Sequence, residues 1–262
     1  MAEASRADLA DAVAAVAAEA GALALRHWRT DFARWEKAPN DPVSQVDLDV
    51  NTLLHARLSA LLPDAGWLSE ETADNADRLA CGRVWVVDPI DGTRDFIRGR
   101  DGWAVSVALV EQGRVTIGVL DAPARGDIFR AALGQGATRN GVPIRVGERR
   151  VFSGSRVPTD GLPKVDSDLV VVAKPNSIAL RIAMVAADEA DLVATLRWGY
   201  EWDIAAAALI AAEAGASVTD AFGAPLAFNT ASAQAFGVLA TTPGIHAAAV
   251  DRLRDRARTL SV

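Results

Sequence analysis

The sequence predicts an α/β fold in two parts, an α+β N-terminal lobe (1–150) and an α/β C-terminal lobe (151–262). Three observations carry this. Apolar residues recur at helical spacing over 5–29 and 44–61, giving two long helices ahead of the main strand signals. β-branched and aromatic runs then succeed one another between residues 83 and 132, separated by turn residues. After residue 168, strand and helix patterns alternate.

Each element has a local reason. The first helix is Ala-rich and ends at His27-Trp28-Arg29, and a loop containing Ala38-Pro39-Asn40-Asp41-Pro42 separates it from the second. In the second, Val46, Val50, Leu53, Leu54, Leu58 and Leu61 form one apolar stripe, and Pro63-Asp64-Ala65-Gly66 stops it. Trp67-Leu68 leads into Ser69-Glu70-Glu71 as a short strand or its end. Arg83-Val84-Trp85-Val86-Val87 is a strand that stops at Asp88. Strands over 103–111 and 114–121 are joined by Gln112-Gly113 as a hairpin turn, and another covers 127–132. Residues 147–168 are rich in Arg, Gly, Pro, Asp and Ser with little periodicity, so they read as the connection between lobes. Beyond them lie a strand (169–173), a helix (177–187), a strand (190–196), a helix (203–214), strands at 216–220 and 235–240, and a helix over 244–258.

Composition removes several classes. Half of the 262 residues are hydrophobic and 23% are charged, an ordinary globular balance. No apolar run approaches the ~20 residues of a membrane span. The N-terminal stretch is broken by Glu3, Asp8, Asp11 and Glu19, unlike a signal peptide, so a cytoplasmic protein without a membrane partner is expected. A lone cysteine, Cys81, excludes an internal disulfide, and His27, His55 and His246 are scattered. The net charge of −7 argues against a nucleic acid polymer as partner.

The richest segment is Val86-Val87-Asp88-Pro89-Ile90-Asp91-Gly92-Thr93-Arg94-Asp95-Phe96. Two carboxylates at a strand end can converge on a hard cation such as Mg²⁺, which prefers oxygen ligands. The N–H groups of Gly92 and Thr93 open a short helix and are placed to receive phosphate oxygens. Turn and cap residues after a strand are the plainer reading of Asp88 and Asp91. The whole string is longer than a turn requires.

That string resembles the signature of the inositol monophosphatase superfamily of Mg²⁺-dependent, lithium-sensitive phosphatases. Three further segments are similar to the family's motifs, in order: Asp41-Pro-Val-Ser-Gln-Val-Asp47, Ser69-Glu70-Glu71, and Trp202-Asp203-Ile-Ala-Ala followed by Glu213-Ala214-Gly215. Read alone, Asp41 serves equally as a cap for the helix at 44–61, and Glu71 as a salt-bridge residue. The resemblance covers about residues 5–250 and implies the layered α-β-α-β-α sandwich of that superfamily, with homodimers common.

It also implies roles. Glu70, Asp88 and the Ile90 carbonyl bind a first metal; Asp88, Asp91 and Asp203 bind a second; Glu70 holds a weaker third through water. Thr93 and Asp47 form a dyad that, with Glu70, orients and deprotonates the attacking water. The cofactor is thus Mg²⁺, two or three ions per site. Asp47, Glu70, Asp88, Asp91 and Asp203 carry −5 of the net −7, a cluster that would repel phosphate without cations.

The substrate is read from a departure. Inositol monophosphatases have a Glu seven residues before the metal-binding Asp of the third segment, and here that position is Leu196, with Glu201 nearer. The Ser-Glu-Glu-Thr and Asp-Phe-Ile strings look more like the bacterial 3′(2′),5′-bisphosphate nucleotidase branch. The expected reaction is removal of the 3′-phosphate of adenosine 3′,5′-bisphosphate, ahead of inositol-1-monophosphatase and histidinol-phosphatase. Arg94, Arg98, Arg100, Lys174, Arg181 and Arg197 are candidate partners for a second phosphate. A regulatory binding protein with vestigial catalysis is the non-enzyme alternative.

Overall fold

The computed structural model describes residues 5–39 and 41–261. Glu3 of the N-terminal stretch and Asn40 of the expected loop lie outside the described residues. Helix α1 (Arg6–His27) starts with a reciprocal cap: Asp8 N–H donates to the Ser5 hydroxyl, and Ser5 N–H donates back to the Asp8 carboxylate. The stretch read as a loop is instead an antiparallel hairpin, β1 (Arg34–Ala38) and β2 (Asp41–Ser44). Every residue of β1 is exposed, so no apolar alternation betrays the strand. Helix α2 (Gln45–Leu61) follows at once, and its cap is Ser44 rather than Asp41.

The first half continues with β3 (Gly66–Ser69), β4 (Arg83–Asp91), α3 (Thr93–Ile97), β5 (Ala104–Glu111), β6 (Arg114–Ala122), β7 (Asp127–Ala132), β8 (Ala137–Arg139) and β9 (Val142–Ile144). These seven strands form one sheet in chain order, parallel between β3 and β4 and antiparallel elsewhere. At the β5–β6 turn Gln112 and Gly113 take φ of 50° and 78°, the left-handed pair that matches strand twist.

The second half contains β10 (Arg156–Pro158), β11 (Val170–Val172), α4 (Ile178–Ala186), β12 (Leu192–Ala194), β13 (Trp198–Tyr200), α5 (Glu201–Glu213), β14 (Ser217–Thr219), β15 (Gln234–Phe236), β16 (Leu239–Thr241) and α6 (His246–Leu260). The strand expected over 235–240 turns at Gly237 into β15 and β16, which join different sheets. One sheet runs β12-β16-β14, antiparallel throughout, and β13 pairs with β15 alone.

Burial alternates along β4 as the pleat demands: Trp85 and Val87 pack with α1 and α2, while Val84 and Val86 pack with α4 and α5. In the small sheet Val193 and Ala240 face that same α4–α5 layer, and Leu192 and Leu239 face α6. The order is therefore helices, sheet, helices, sheet, helix: the expected five-layer α-β-α-β-α sandwich. The central helix pair sits unusually close to the large sheet. A Cβ on Gly118 of β6 would lie 2.6 Å from the Ala206 carbonyl of α5, so only glycine permits the approach.

Candidate active site

In a regular strand, residues three apart face opposite sides. Asp88 and Asp91 do not. Asp88 sits across from Ser106 and Asp91 across from Ala104, so one extra residue bulges β4 and turns both carboxylates toward the α4–α5 layer. Asp203 arrives from the first turn of α5. Oxygens of Asp88, Asp91 and Asp203 lie within 4.8 Å of one another.

Neutral donors reach these acids. Asp91 closes the start of α4, accepting from the Ser177 hydroxyl at 2.5 Å, Ala179 N–H at 2.8 Å and Ile178 N–H at 3.3 Å. Asp88 accepts from Ile90 N–H at 3.0 Å, and Asp203 from Tyr200 N–H at 3.4 Å. Gly92, at φ 94°, allows the turn into α3; a Cβ there would lie 2.6 Å from the Gly102 carbonyl. Thr93 Oγ1 then stands 3.0 Å from the Ile90 carbonyl and 3.4 Å from Asp47 Oδ1. Asp47 itself is buried at the start of α2, where its Oδ2 accepts from Ser44 N–H at 2.9 Å and the Ser44 hydroxyl at 2.5 Å.

Glu70 is positioned by its N–H, which donates to the Val87 carbonyl. Its carboxylate accepts from Lys37 Nζ at 3.0 Å, and Lys37 also bonds Glu71 at 2.7 Å, so Glu71 is a salt-bridge residue. Lys37 escaped the sequence reading because its strand did. Ser177 escaped it too; a Ser just before the apolar run 178–186 was the available sign of a helix cap.

The electrostatics are those of a site short of positive charge. Burial first, then the charges of Glu70, Asp91 and Asp203, push the Asp88 carboxyl well above its ordinary range. Burial followed by Asp91 and Glu70 does the same to Asp203. Burial raises Asp91 against the opposing bonds from Ser177 and Ala179. Burial lifts Asp47 to about 7 despite the Ser44 bonds. Three acids this close, two of them buried and Asp203 partly so, cannot all ionise unaided. An all-oxygen donor set of that kind fits a hard divalent cation.

A cavity of about 520 Å³ opens on these groups and is lined by Glu70, Asp88, Ile90, Asp91, Gly92, Thr93 and Asp203. Among the six candidate cations, Arg94, Arg181 and Arg197 line it as well. Arg98 and Arg100 do not, and Lys174 pairs with Asp160. Burial depresses the Arg181 guanidinium, which donates to the Pro175 and Asn176 carbonyls. Leu196 is partly buried in apolar contacts of the second half. Glu201 is fully buried and spent on the loop after β14, accepting from Asn229 N–H at 2.6 Å, Thr230 N–H at 2.8 Å and the Thr230 hydroxyl at 2.6 Å. Trp202 lines the cavity while packing against the core.

Comparison with known proteins agrees with this arrangement. A relative named fructose-1,6-bisphosphatase/inositol-1-monophosphatase, from Thermotoga maritima, is 34% identical over 210 residues, 76% of this chain and 80% of its own length. One named 3′-phosphoadenosine 5′-phosphate phosphatase, from Mycobacterium leprae, is 38% identical over 195 residues, 68% of this chain and 70% of its own. Among solved structures, a Thermotoga maritima inositol monophosphatase (IMPase) superimposes with a TM-score of 0.83 at 28% identity, covering 96% of this chain and 99% of that one. The sequence profile of the inositol monophosphatase family matches residues 6–257, so the acidic bulge, the Thr93 turn and the α5 aspartate lie within a single matched span. The chain belongs to the inositol monophosphatase family.

Proposed function

We propose that this chain hydrolyses a small phosphate monoester with Mg²⁺, two or three ions per site, and that its preferred substrate is adenosine 3′,5′-bisphosphate, which loses its 3′-phosphate. The observation that carries the substrate choice is the pairing of Arg181 and Arg197 with the acidic triad in one cavity. The acid expected of a polyol-reading site is replaced by Leu196, and Glu201 is occupied elsewhere. The relative named 3′-phosphoadenosine 5′-phosphate phosphatase points the same way.

In this reading Glu70, Asp88 and the Ile90 carbonyl would hold a first cation, and Asp88, Asp91 and Asp203 a second. Cations held there would offset the charge of the triad, attract phosphate oxygens and make water more acidic. Gly92 and Thr93 N–H groups orient the phosphate. Thr93 Oγ1 holds the attacking water by one lone pair while donating its own proton to Asp47. Asp47, kept basic enough by burial to accept a proton near neutrality, relays the proton that water loses. Water attacks phosphorus in line with the departing oxygen, which takes a proton from solvent in the open cavity and leaves as the alcohol. Arg181 and Arg197 hold the second phosphate. The intact Thr93–Asp47 pair favours an enzyme over a vestigial binder.

Rates with adenosine 3′,5′-bisphosphate, inositol 1-phosphate and histidinol phosphate, measured side by side, test this. The bisphosphate should have the highest kcat/KM, and removing its 5′-phosphate should lower that by about 1–3 kcal/mol. Equal efficiency for 3′-AMP, or a higher one for either other substrate, overturns the substrate choice.

A further inference from the structure

Two aromatic side chains stand in the cavity wall beside Asp203. Tyr200 ends β13 and Trp202 is the second residue of α5; both line the cavity, immediately before Asp203. Their rings lie face to face, 4.3 Å between centroids and 7° from parallel. The residue between them, Glu201, is clamped by the three hydrogen bonds described above, which fixes where both rings emerge. On the strand side Tyr200 pairs with Gln234, and Trp198 packs edge-on against Phe236 at 5.6 Å. Trp202 is backed by the core, whereas Tyr200 is 44% exposed. The result is a rigid π surface, one side supported and the other open, beside the residues that process the phosphate.

An aromatic ring already held in place loses little freedom when a ligand covers it. Stacking demands a flat, polarisable partner, and any nucleobase supplies one. A polyol ring does not. Arg197, which lines the same cavity and adjoins Tyr200 in a small depression beside it, offers charge next to the stack.

We propose that Tyr200 is a specificity-determining residue whose open face, backed by Trp202, receives the flat ring of the substrate's alcohol portion. This rests on the nucleotide reading above and assigns the base its place. It implies that discrimination against ring-free phosphates is expressed mainly in KM, since the stack forms in the ground state and persists through reaction.

The test uses the full chain with Mg²⁺ and two substrates, adenosine 3′,5′-bisphosphate and glycerol 2-phosphate. Tyr200→Leu should lower the efficiency ratio between them roughly tenfold or more, through KM for the nucleotide. Tyr200→Phe should keep most of the ratio. A Tyr200→Leu variant that loses both activities in parallel, or keeps the ratio, overturns the assignment. A second measurement needs no variant: adenosine 5′-phosphate should inhibit hydrolysis of glycerol 2-phosphate at least tenfold more strongly than ribose 5-phosphate, and equal inhibition overturns the stack. Wild-type protein that favours inositol 1-phosphate would instead sink the nucleotide reading, and this inference with it. Preference for the nucleotide that survives in Tyr200→Leu would sink the stack alone.

Discussion

On one face of the seven-stranded sheet, Asp88, Asp91 and Asp203 crowd within 4.8 Å; on the other, the carboxylate of Asp121 in β6 is pressed against α1. Both are buried, and burial raises both above the ordinary carboxylate range, Asp121 to about 7. Their surroundings differ. The cluster opens on a large cavity and takes hydrogen bonds from the start of α4. Asp121 Oδ2 has no hydrogen-bond partner, and it fits only because Gly21 has no side chain: a Cβ there would lie 1.7 Å from it. A buried acid alone is a burden, and its burial favours the protonated form. Three clustered acids around a cavity, two buried and one partly so, furnished with donors that favour the charged form, are arranged to receive a cation.

Removing one charge from each site should therefore have opposite consequences. The largest effect belongs to Asp88→Asn, which deletes a charge shared by both expected metal positions. Its Mg²⁺-dependent phosphatase turnover should fall roughly 10³-fold or more. Steady-state assays check this, and activity within threefold of wild type would contradict the cation site.

Thr93→Ala comes next. It leaves the acidic cluster whole and removes the hydroxyl between Ile90 and Asp47, so kcat should drop roughly 10²-fold. Mg²⁺ affinity measured by calorimetry should change little. Loss of Mg²⁺ binding equal to that of Asp88→Asn would make Thr93 a structural residue.

Much of this contrast could be read before any coordinates. The apolar strand stopping at Asp88 and the string through Thr93 stand out because acids interrupt an apolar run, whereas Asp203 is marked only by the resemblance of Trp202-Asp203-Ile-Ala-Ala to the family's motif. The bulge that brings Asp88 and Asp91 to one face was not legible, since periodicity says nothing about where a ladder slips by one residue. Lys37 was hidden in a hairpin whose strand β1 is wholly exposed and carries no alternation. Asp121 was hidden for the converse reason: at the end of an apolar strand an acid suggests emergence into solvent, and only packing of α1 through Gly21 buries it. Helix α5 lay close to its expected span, whereas the strands of the second half, three residues each, are too short for their ends to be fixed by pattern alone.

The smallest effect concerns stability on the α1 face. The folded state raises the Asp121 pKa to about 7 from an unfolded value near ~3.9, so the folded chain holds that proton more tightly. This stabilising share is complete below about pH 4 and is lost as pH rises through about 7. An Asn has no such proton to lose. Asp121→Asn should match wild type near pH 4 and exceed it at pH 8 by about 1–3 kcal/mol. Urea unfolding at both pH values measures the gap, and a gap independent of pH would mean that the carboxylate is not the burden described.

The central claim, that the acids on the α4–α5 face form a cation site, is tested most directly by thermal melting of metal-stripped protein titrated with Mg²⁺. Wild type should show a saturable rise in Tm, corresponding to about 2.7 kcal/mol at a hundredfold excess over Kd. Stripped Asp88→Asn should start from a higher Tm, because one crowded charge is gone, and gain little from Mg²⁺. A wild-type Tm indifferent to Mg²⁺, or an Asp88→Asn variant that rises as far as wild type, would contradict the account.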